Sequence, residues 1–191
     1  MANKIKYGLK SVYYAKATIA ANGSATYETP VAWPGAVNLS LSPDGDTTPF
    51  YSDNIVYYMS SANNGYTGTL ETALVPDSFK QDILGEIVSR NGLQVESANT
   101  ESGHFALLFQ FEGDESATRH VIYNCVASRP NLEGATKESA IAPQTESVDI
   151  TAATIYVAAL EPHGDVVKAK ADSESAAYAD FFTAVTIPTA Q

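Results

Sequence analysis

Three histidines and one cysteine hold whatever nucleophilic or metal chemistry this chain has. His104, His120 and His163 lack metal-ligand spacing in any pair. His120 and Cys125 suggest a Cys–His pair, in which an imidazole would take the thiol proton. Both fall on one expected strand, five residues apart, and an odd separation sends side chains to opposite faces. That predicts a strand histidine and a structural cysteine instead. His163-Gly164-Asp165 has turn composition, with no Gly-x-Ser-x-Gly elbow beside it.

The acidic runs give no stronger lead. Asp44-Gly45-Asp46 and Glu112-Gly113-Asp114-Glu115 would suit calcium by composition. Neither has the spaced alternation and terminal glutamate of an EF-hand, so both read as solvated turns. Nothing selects one carboxylate pair for glycoside hydrolysis, and no Gly-x-x-x-x-Gly-Lys loop is present to cradle phosphate. The residues predict no catalytic centre, metal site or cofactor.

Charge and composition narrow the class further. Eleven Lys and Arg against 22 Asp and Glu leave a net charge of -11. The closest basic groupings are the pairs Lys4/Lys6 and Lys168/Lys170, which excludes a free-standing nucleic-acid binder. Hydrophobic residues at 45% exclude intrinsic disorder. Eleven Tyr against seven Phe and one Trp favour half-buried strands and contact surfaces, where a ring is covered while its hydroxyl stays wet. A length of 191 residues is expected to form one domain, 1–191. The start lacks the apolar run of a signal peptide, and no stretch reaches membrane-spanning length. With Cys125 alone no intrachain disulfide forms, so synthesis in a reducing cytoplasm is expected. Asn22-Gly23-Ser24 and Asn38-Leu39-Ser40 match glycosylation acceptors by chance in that setting.

The elements that would position any site read mainly as strands. Residues 13–19 alternate in their second half and read as a strand, Asn22-Gly23-Ser24 turns, and 27–33 return along an edge marked by Pro30. Ala36 to Leu41 alternate, and the acidic turn Asp44-Gly45-Asp46 leads into a polar-aromatic loop through Thr48, Pro49, Phe50, Tyr51 and Asp53. A hairpin is expected over 54–75. One arm carries Tyr57 and Tyr58, the turn is Asn63-Asn64-Gly65, and the other arm runs from Tyr66. On that second arm Tyr66, Gly68, Leu70, Thr72 and Leu74 share a core face, while Thr67, Thr69, Glu71 and Ala73 share a wet one with no Lys or Arg. A helix is expected over 77–90, with Ser78 and Gln81 at capping-box spacing and an apolar stripe of Phe79, Ile83, Leu84, Ile87 and Val88. Residues 105–111 are apolar on both faces and predict a central strand. A turn through Glu115 brings the chain back over 119–126. Residues 130–137 form a polar loop, and 146–151 alternate. Weaker strands follow at 155–159 and 166–169, and a second helix is expected over 172–186.

Wording and order together resemble the major tail (tail tube) proteins of long, non-contractile bacteriophage tails. The resemblance is carried by Lys6-Tyr7-Gly8-Leu9-Lys10, Pro34-Gly35-Ala36-Val37, Gly45-Asp46, Pro49-Phe50-Tyr51, Asn54, Tyr57, Asn64-Gly65-Tyr66 and Leu84-Gly85. It continues through Phe105-Ala106-Leu107-Leu108-Phe109, Ala117-Thr118-Arg119-His120-Val121, Tyr123-Asn124-Cys125 and Pro143-Gln144-Thr145-Glu146. It covers residues 3–151 and fades beyond.

The resemblance implies a mainly β fold, an antiparallel β-sandwich or half-barrel with a flanking helix. It implies six copies in a ring and rings stacked into a tube in a virion tail made in the bacterial cytoplasm. Double-stranded DNA would pass through the lumen without specific binding. A tape measure protein and a tail terminator are the implied partners, with no membrane. The candidate stacking loop holds Asp44, Asp46, Thr48, Pro49, Phe50, Tyr51 and Asp53. The candidate lumen hairpin holds Tyr57, Tyr58, Asn63, Asn64, Tyr66, Thr67, Thr69 and Glu71. The alternative from the residues is a monomeric β-sandwich binding module or baseplate accessory domain that uses its tyrosines.

Overall fold

The computed structural model describes residues 5, 7–114, 116–136 and 143–190; Lys4, Lys6, Glu115 and Lys137, named above, lie outside them. The order of elements is β1 (Leu9–Ile19), β2 (Ala25–Tyr27), β3 (Val31–Ala32), β4 (Ala36–Asp44), β5 (Thr47–Ser52), β6 (Ile55–Ser61) and β7 (Gly65–Thr72). Helix α1 (Asp77–Asp82) follows, then β8 (Ile87–Val88), β9 (Gln94–Val95), β10 (His104–Phe111) and β11 (Arg119–Ala127). The last strands are β12 (Glu146–Ala153), β13 (Ile155–Tyr156), β14 (Asp165–Val166) and β15 (Lys168–Ala171).

One antiparallel sheet organises the chain, in the order β2-β1-β10-β11-β12-β7-β4, with β3 also on β1 and β15 also on β11. Pro30 divides the returning edge into β2 and β3, since proline has no N–H to give the ladder. The sheet forks at β11. Its first half, Arg119 to Ile122, pairs with β15, and its second half, Asn124 to Ala127, pairs with β12. A bulge makes the fork. Phe105 faces Cys125, but Leu107 faces Ile122, so β11 carries one residue more than β10 over that interval.

Beyond the fork the sheet curls until β4 lies against β1. Val12 and Tyr14 of β1, Phe105 and Leu107 of β10, Ile150 of β12 and Leu70 of β7 then fill one core. Trp33 and Phe79 close its end, with ring centroids 4.3 Å apart, and Phe79 meets Phe105 edge-on at 5.2 Å. A second core on the back of β1, β10 and β11 holds Ala15, Leu108, Val121 and Tyr123 under Ile155, Val157 and Phe181. This is the expected mainly β architecture, an antiparallel sandwich or half-barrel with a flanking helix. Strand β10 is buried on both faces, as its continuous apolar run predicts.

Three expected elements differ. The helix over 77–90 is confined to Asp77–Asp82. Gly85 takes φ 73 and turns the chain out, with Glu86 N–H donating to Lys80 O at 3.0 Å. Phe79, Ile83 and Leu84 of the stripe are buried, whereas Ile87 and Val88 leave it as the exposed strand β8. The capping box does not form: Pro76 occupies the N-cap, with Ser78 inside the helix. No helix spans 172–186. Successive i to i+3 turns replace it, among them Ser175 to Asp172, Tyr178 to Ser175 and Thr183 to Asp180. Asp172 takes the Glu174 N–H with its side chain, and Arg119 takes the Tyr178 carbonyl, so local bonds compete with a helical ladder.

The hairpin over 54–75 is the third. Strand β6 pairs with β5, not with β7, and β7 lies between β4 and β12. The hairpin turn is Asp53-Asn54, whose φ of 53 and 62 meet the left-handed requirement of a two-residue type I′ turn. Pairing β7 with β4 places Leu70, Leu39 and Leu41 against one core, a gain that the turn chemistry of Asn63-Asn64-Gly65 does not outweigh.

Candidate functional site

The ladder of β4 and β7 does not stop at the edge of the body. Asn64 N–H donates to Asp44 O at 2.8 Å and Ala62 N–H to Asp46 O at 3.0 Å, carrying the pairing across into β5 and β6. Residues 36–72 are thus one long hairpin, rooted in the sheet and ending at Asp53-Asn54. Glycines make the root. A Cβ on Gly45 would stand 2.1 Å from Ala62 O, and one on Gly65 1.8 Å from Ala152 O, so no side chain fits at either point. The six residues of β5 extend the arm by roughly 20 Å at strand rise.

Both faces of the arm are apolar. Cross-strand register puts Phe50 with Tyr58 and Ser52 with Ile55 on one face, and Pro49 with Met59 and Tyr51 with Val56 on the other. Tyr57 is the extra residue of a bulge between them. Phe50, Tyr51, Ile55, Tyr57, Tyr58 and Met59 are 61% to 72% exposed. Full burial of such a side chain contributes about 1.5–3 kcal/mol, a contribution that the single chain leaves unmade here.

The body carries a second surface of opposite character. On the wet face of β4, β7 and β12 the register aligns three rows: Asn38, Glu71, Ser147; Ser40, Thr69, Asp149; and Ser42, Thr67, Thr151. Thr69 Oγ1 donates to Asp149 Oδ1 at 2.9 Å, and Thr145 Oγ1 donates to Glu71 Oε1 at 2.7 Å. The rows hold short hydroxyls, an amide and two carboxylates. From Ala17 to Phe79 the chain has no Lys or Arg.

The candidate residues therefore regroup. Thr67, Thr69 and Glu71 share the polar face. Tyr57 and Tyr58 stand instead on the arm with Thr48, Pro49, Phe50 and Tyr51, and Asp53 is at its tip. Asp44, Asp46, Asn63 and Asn64 make the root, where Asn63 Oδ1 accepts the Gly65 N–H at 3.2 Å. Tyr66 turns to the core side, its hydroxyl accepting from Lys168 Nζ at 2.6 Å. Ile55, Val56 and Met59 on the arm, and Asn38, Ser147 and Asp149 on the rows, were not picked out by sequence. Alternation marked their strands, but only pairing assigns the shared face.

The Cys–His pair is not assembled. The bulge in β11 reverses the parity argument: His120 stacks on Phe109, and Cys125 packs in the same core cluster as Phe109. Five residues of strand still separate them by about 16 Å. Burial pushes the Cys125 thiol up to about 12, which suppresses the thiolate a nucleophile needs. His104 Nδ1 lies 2.8 Å from Asn124 Oδ1. Among the described residues no group of three His, Cys, Asp or Glu is placed to hold a metal ion.

An antiparallel β body with a long apolar arm is the build of a structural subunit that meets other proteins. The chain belongs to the phage tail tube protein family, whose family model matches residues 2–185. It is a structural phage tail component, and the family is not one of enzymes. No curated protein sequence matches it. A chain in the cryo-EM structure of the anti-feeding prophage baseplate, 6-fold symmetrised, is similar at 8% identity and a TM-score of 0.46, covering 92% of this chain and 99% of that one.

Proposed function

We propose that this chain is the tail tube subunit of a phage with a long, non-contractile tail. Six copies close a ring, rings stack, and the polar rows of β4, β7 and β12 line the bore through which DNA enters the host. The observation that carries this is the cation-free face on the body. Phosphate gains counterion-release affinity only where Lys or Arg neutralises it, so a wall of hydroxyls and carboxylates leaves a duplex free to slide.

The strand count also supports it. β12, β7 and β4 form the three-stranded layer that carries the rows. Six such layers give about 18 strands, which at roughly 4.8 Å spacing and about 40° tilt close a circle about 36 Å across at the backbone. Side chains narrow this by roughly 10 Å, leaving room for a duplex. A ring would carry a formal charge of about -66, six times that of one chain, acting over a screening length of about 8 Å. In this reading a tape measure protein sets the length of the tube and a terminator caps it. The subunit, made in the bacterial cytoplasm, ends in the virion.

Negative-stain microscopy of concentrated protein tests the reading. Rings or tubes with an open bore are expected. A monomer at every concentration, with its aromatic arm still exposed, would favour the binding-module alternative and overturn it.

A further inference from the structure

Asparagine precedes glycine three times, at Asn22-Gly23, Asn64-Gly65 and Asn91-Gly92, and all three asparagines are exposed. Such a pair can lose the side-chain amide, because glycine has no Cβ to shield the backbone nitrogen that attacks it. The attack needs the peptide between the two residues to rotate, so the surroundings of the glycine decide whether it occurs in the folded chain. Gly23 is pinned: its carbonyl accepts from Tyr156 N–H at 2.8 Å, and a Cβ on it would lie 3.1 Å from Tyr156 Cβ. Gly65 is buried in the root of the long hairpin, against Ala152 O, with Asn64 N–H bound to Asp44 O at 2.8 Å. A Cβ on Gly92 would meet nothing beyond its chain neighbours within 4 Å.

The third pair also sits where the backbone opens most easily. Arg90-Asn91-Gly92 is a three-residue loop between β8 and β9, with Gly92 at φ 83 and its N–H donating to Ser89 O at 2.9 Å. β8 and β9 pair only with each other, Ile87 with Val95 and Val88 with Gln94. A ribbon that short has little to hold it closed. The Ser89 hydroxyl donates to Asn91 Oδ1 at 2.5 Å, a nearer acceptor than Leu93 O at 2.9 Å. That bond draws electron density from Cγ, the atom under attack, and is placed for the oxyanion that attack creates.

We propose that Asn91 is a site of self-modification in the folded chain, deamidating through a cyclic imide while Asn22 and Asn64 are held back. The Gly92 nitrogen gives its proton to hydroxide and attacks Asn91 Cγ. The N–Cγ bond forms, the Cγ–Nδ2 bond breaks, and Nδ2 takes a proton from water and leaves as ammonia. Water then opens the ring at either carbonyl, leaving aspartate or isoaspartate. The balance is one water consumed and one ammonia released, with no change of oxidation state. Each event adds a negative charge beside Arg90, and the isoaspartate form adds a backbone carbon to a loop whose hydrogen bonds fix its length. Ile87, Val88 and Leu93, all exposed, ride on that loop, so the modification alters the apolar surface they form. None of this depends on the tube reading.

Peptide mapping by mass spectrometry tests this on the full chain, incubated in mildly alkaline buffer with and without urea. In the folded chain the Asn91 peptide is expected to convert on the order of tenfold faster than the Asn22 and Asn64 peptides, since those need a wider opening. In urea the three rates should converge. Both isoaspartate and aspartate should appear at Asn91; aspartate alone would mean direct hydrolysis of the side chain and would reject the cyclic route. Asn91→Gln should remove the fast phase and leave the other two sites unchanged. Ser89→Ala should slow Asn91 by roughly fivefold, less than the loss of an enzyme's oxyanion donor because this bond exists before the attack, and Ser89→Thr should restore the rate. A faster Ser89→Ala would remove the hydroxyl from the reaction and leave it as a brace of the loop. Asn22 or Asn64 keeping pace with Asn91 in the folded chain, or a folded chain inert at all three while urea releases them, would overturn the proposal.

Discussion

Phe50 and Tyr58 face each other across β5 and β6 and remain 61% and 63% exposed. A cross-strand aromatic pair contributes roughly 0.2–1 kcal/mol, too little to hold a two-stranded ribbon that has no core. In the assembly proposed above, the order of the arm comes from what it meets.

Hydrogen exchange separates the two halves of the long hairpin. In the free subunit, amides of 47–61 are expected to exchange within the fast range while those of 65–72, flanked by β4 and β12, stay protected. Assembly is expected to raise protection at 47–61. Equal protection of 47–61 in subunit and tube would reject a contact role for the arm. Phe50→Ala with Tyr58→Ala should leave the melting temperature of the body within a few degrees and abolish sedimenting assemblies.

Thr72 ties the root of the hairpin to the core. Its buried Oγ1 accepts from Trp33 Nε1 at 3.3 Å and lies 3.1 Å from Gly35 O. Thr72→Val keeps the shape and leaves the indole N–H without its partner. A loss of about 1–3 kcal/mol is expected in urea unfolding. Thr72→Ser, which keeps the hydroxyl, should recover most of it. A valine variant as stable as the parent would show that the bond contributes nothing.

Alkali should unfold the subunit earlier than its acidic composition suggests. Burial raises Cys125 from 9.0 to about 12 and Tyr14 from 10.0 to about 12, and it also raises Tyr27 and Tyr123. These groups stay protonated in the folded chain while the unfolded chain loses their protons. Stability is therefore whole below pH 9 and falls from there towards pH 12, by up to about 1.4 kcal/mol per pH unit for each group. Cys125→Ala should flatten the first part of that fall, between the cysteine and tyrosine ranges. A urea midpoint unchanged from pH 8 to pH 11 would contradict this.

Placing cations on the polar rows tests the bore. Thr67→Lys with Thr69→Lys adds two per copy to a face that has none, and Thr69→Ser serves as the neutral control. In tubes of the lysine variant, duplex DNA retention is expected to rise and to fall again with salt. Particles built with it should release their genome more slowly. Release at the parental rate, with intact tubes, would place these rows away from the DNA path.

Much of the strand content was legible because alternation is a local signal. Val148 and Ile150 point in while Ser147 and Asp149 point out, as their spacing requires. Partnership was not local. Asn63-Asn64-Gly65 has better turn chemistry than Ser52-Asp53-Asn54, yet the chain reverses at the latter, because β7 finds its core contacts on β4. The apolar stripe of 79–88 predicted a longer helix, but Gly85 packs with its α-carbon toward Thr100, and a contact between distant residues has no trace in periodicity. Likewise the bulge at Tyr123-Asn124 moved Cys125 to the face of His120. A single inserted residue changes every parity downstream of it.

The arm is finished by Ser61, whereas β15, which completes the fork at β11, begins at Lys168, more than a hundred residues later. During translation the aromatic arm therefore leaves the ribosome well before the sheet of its own body can close.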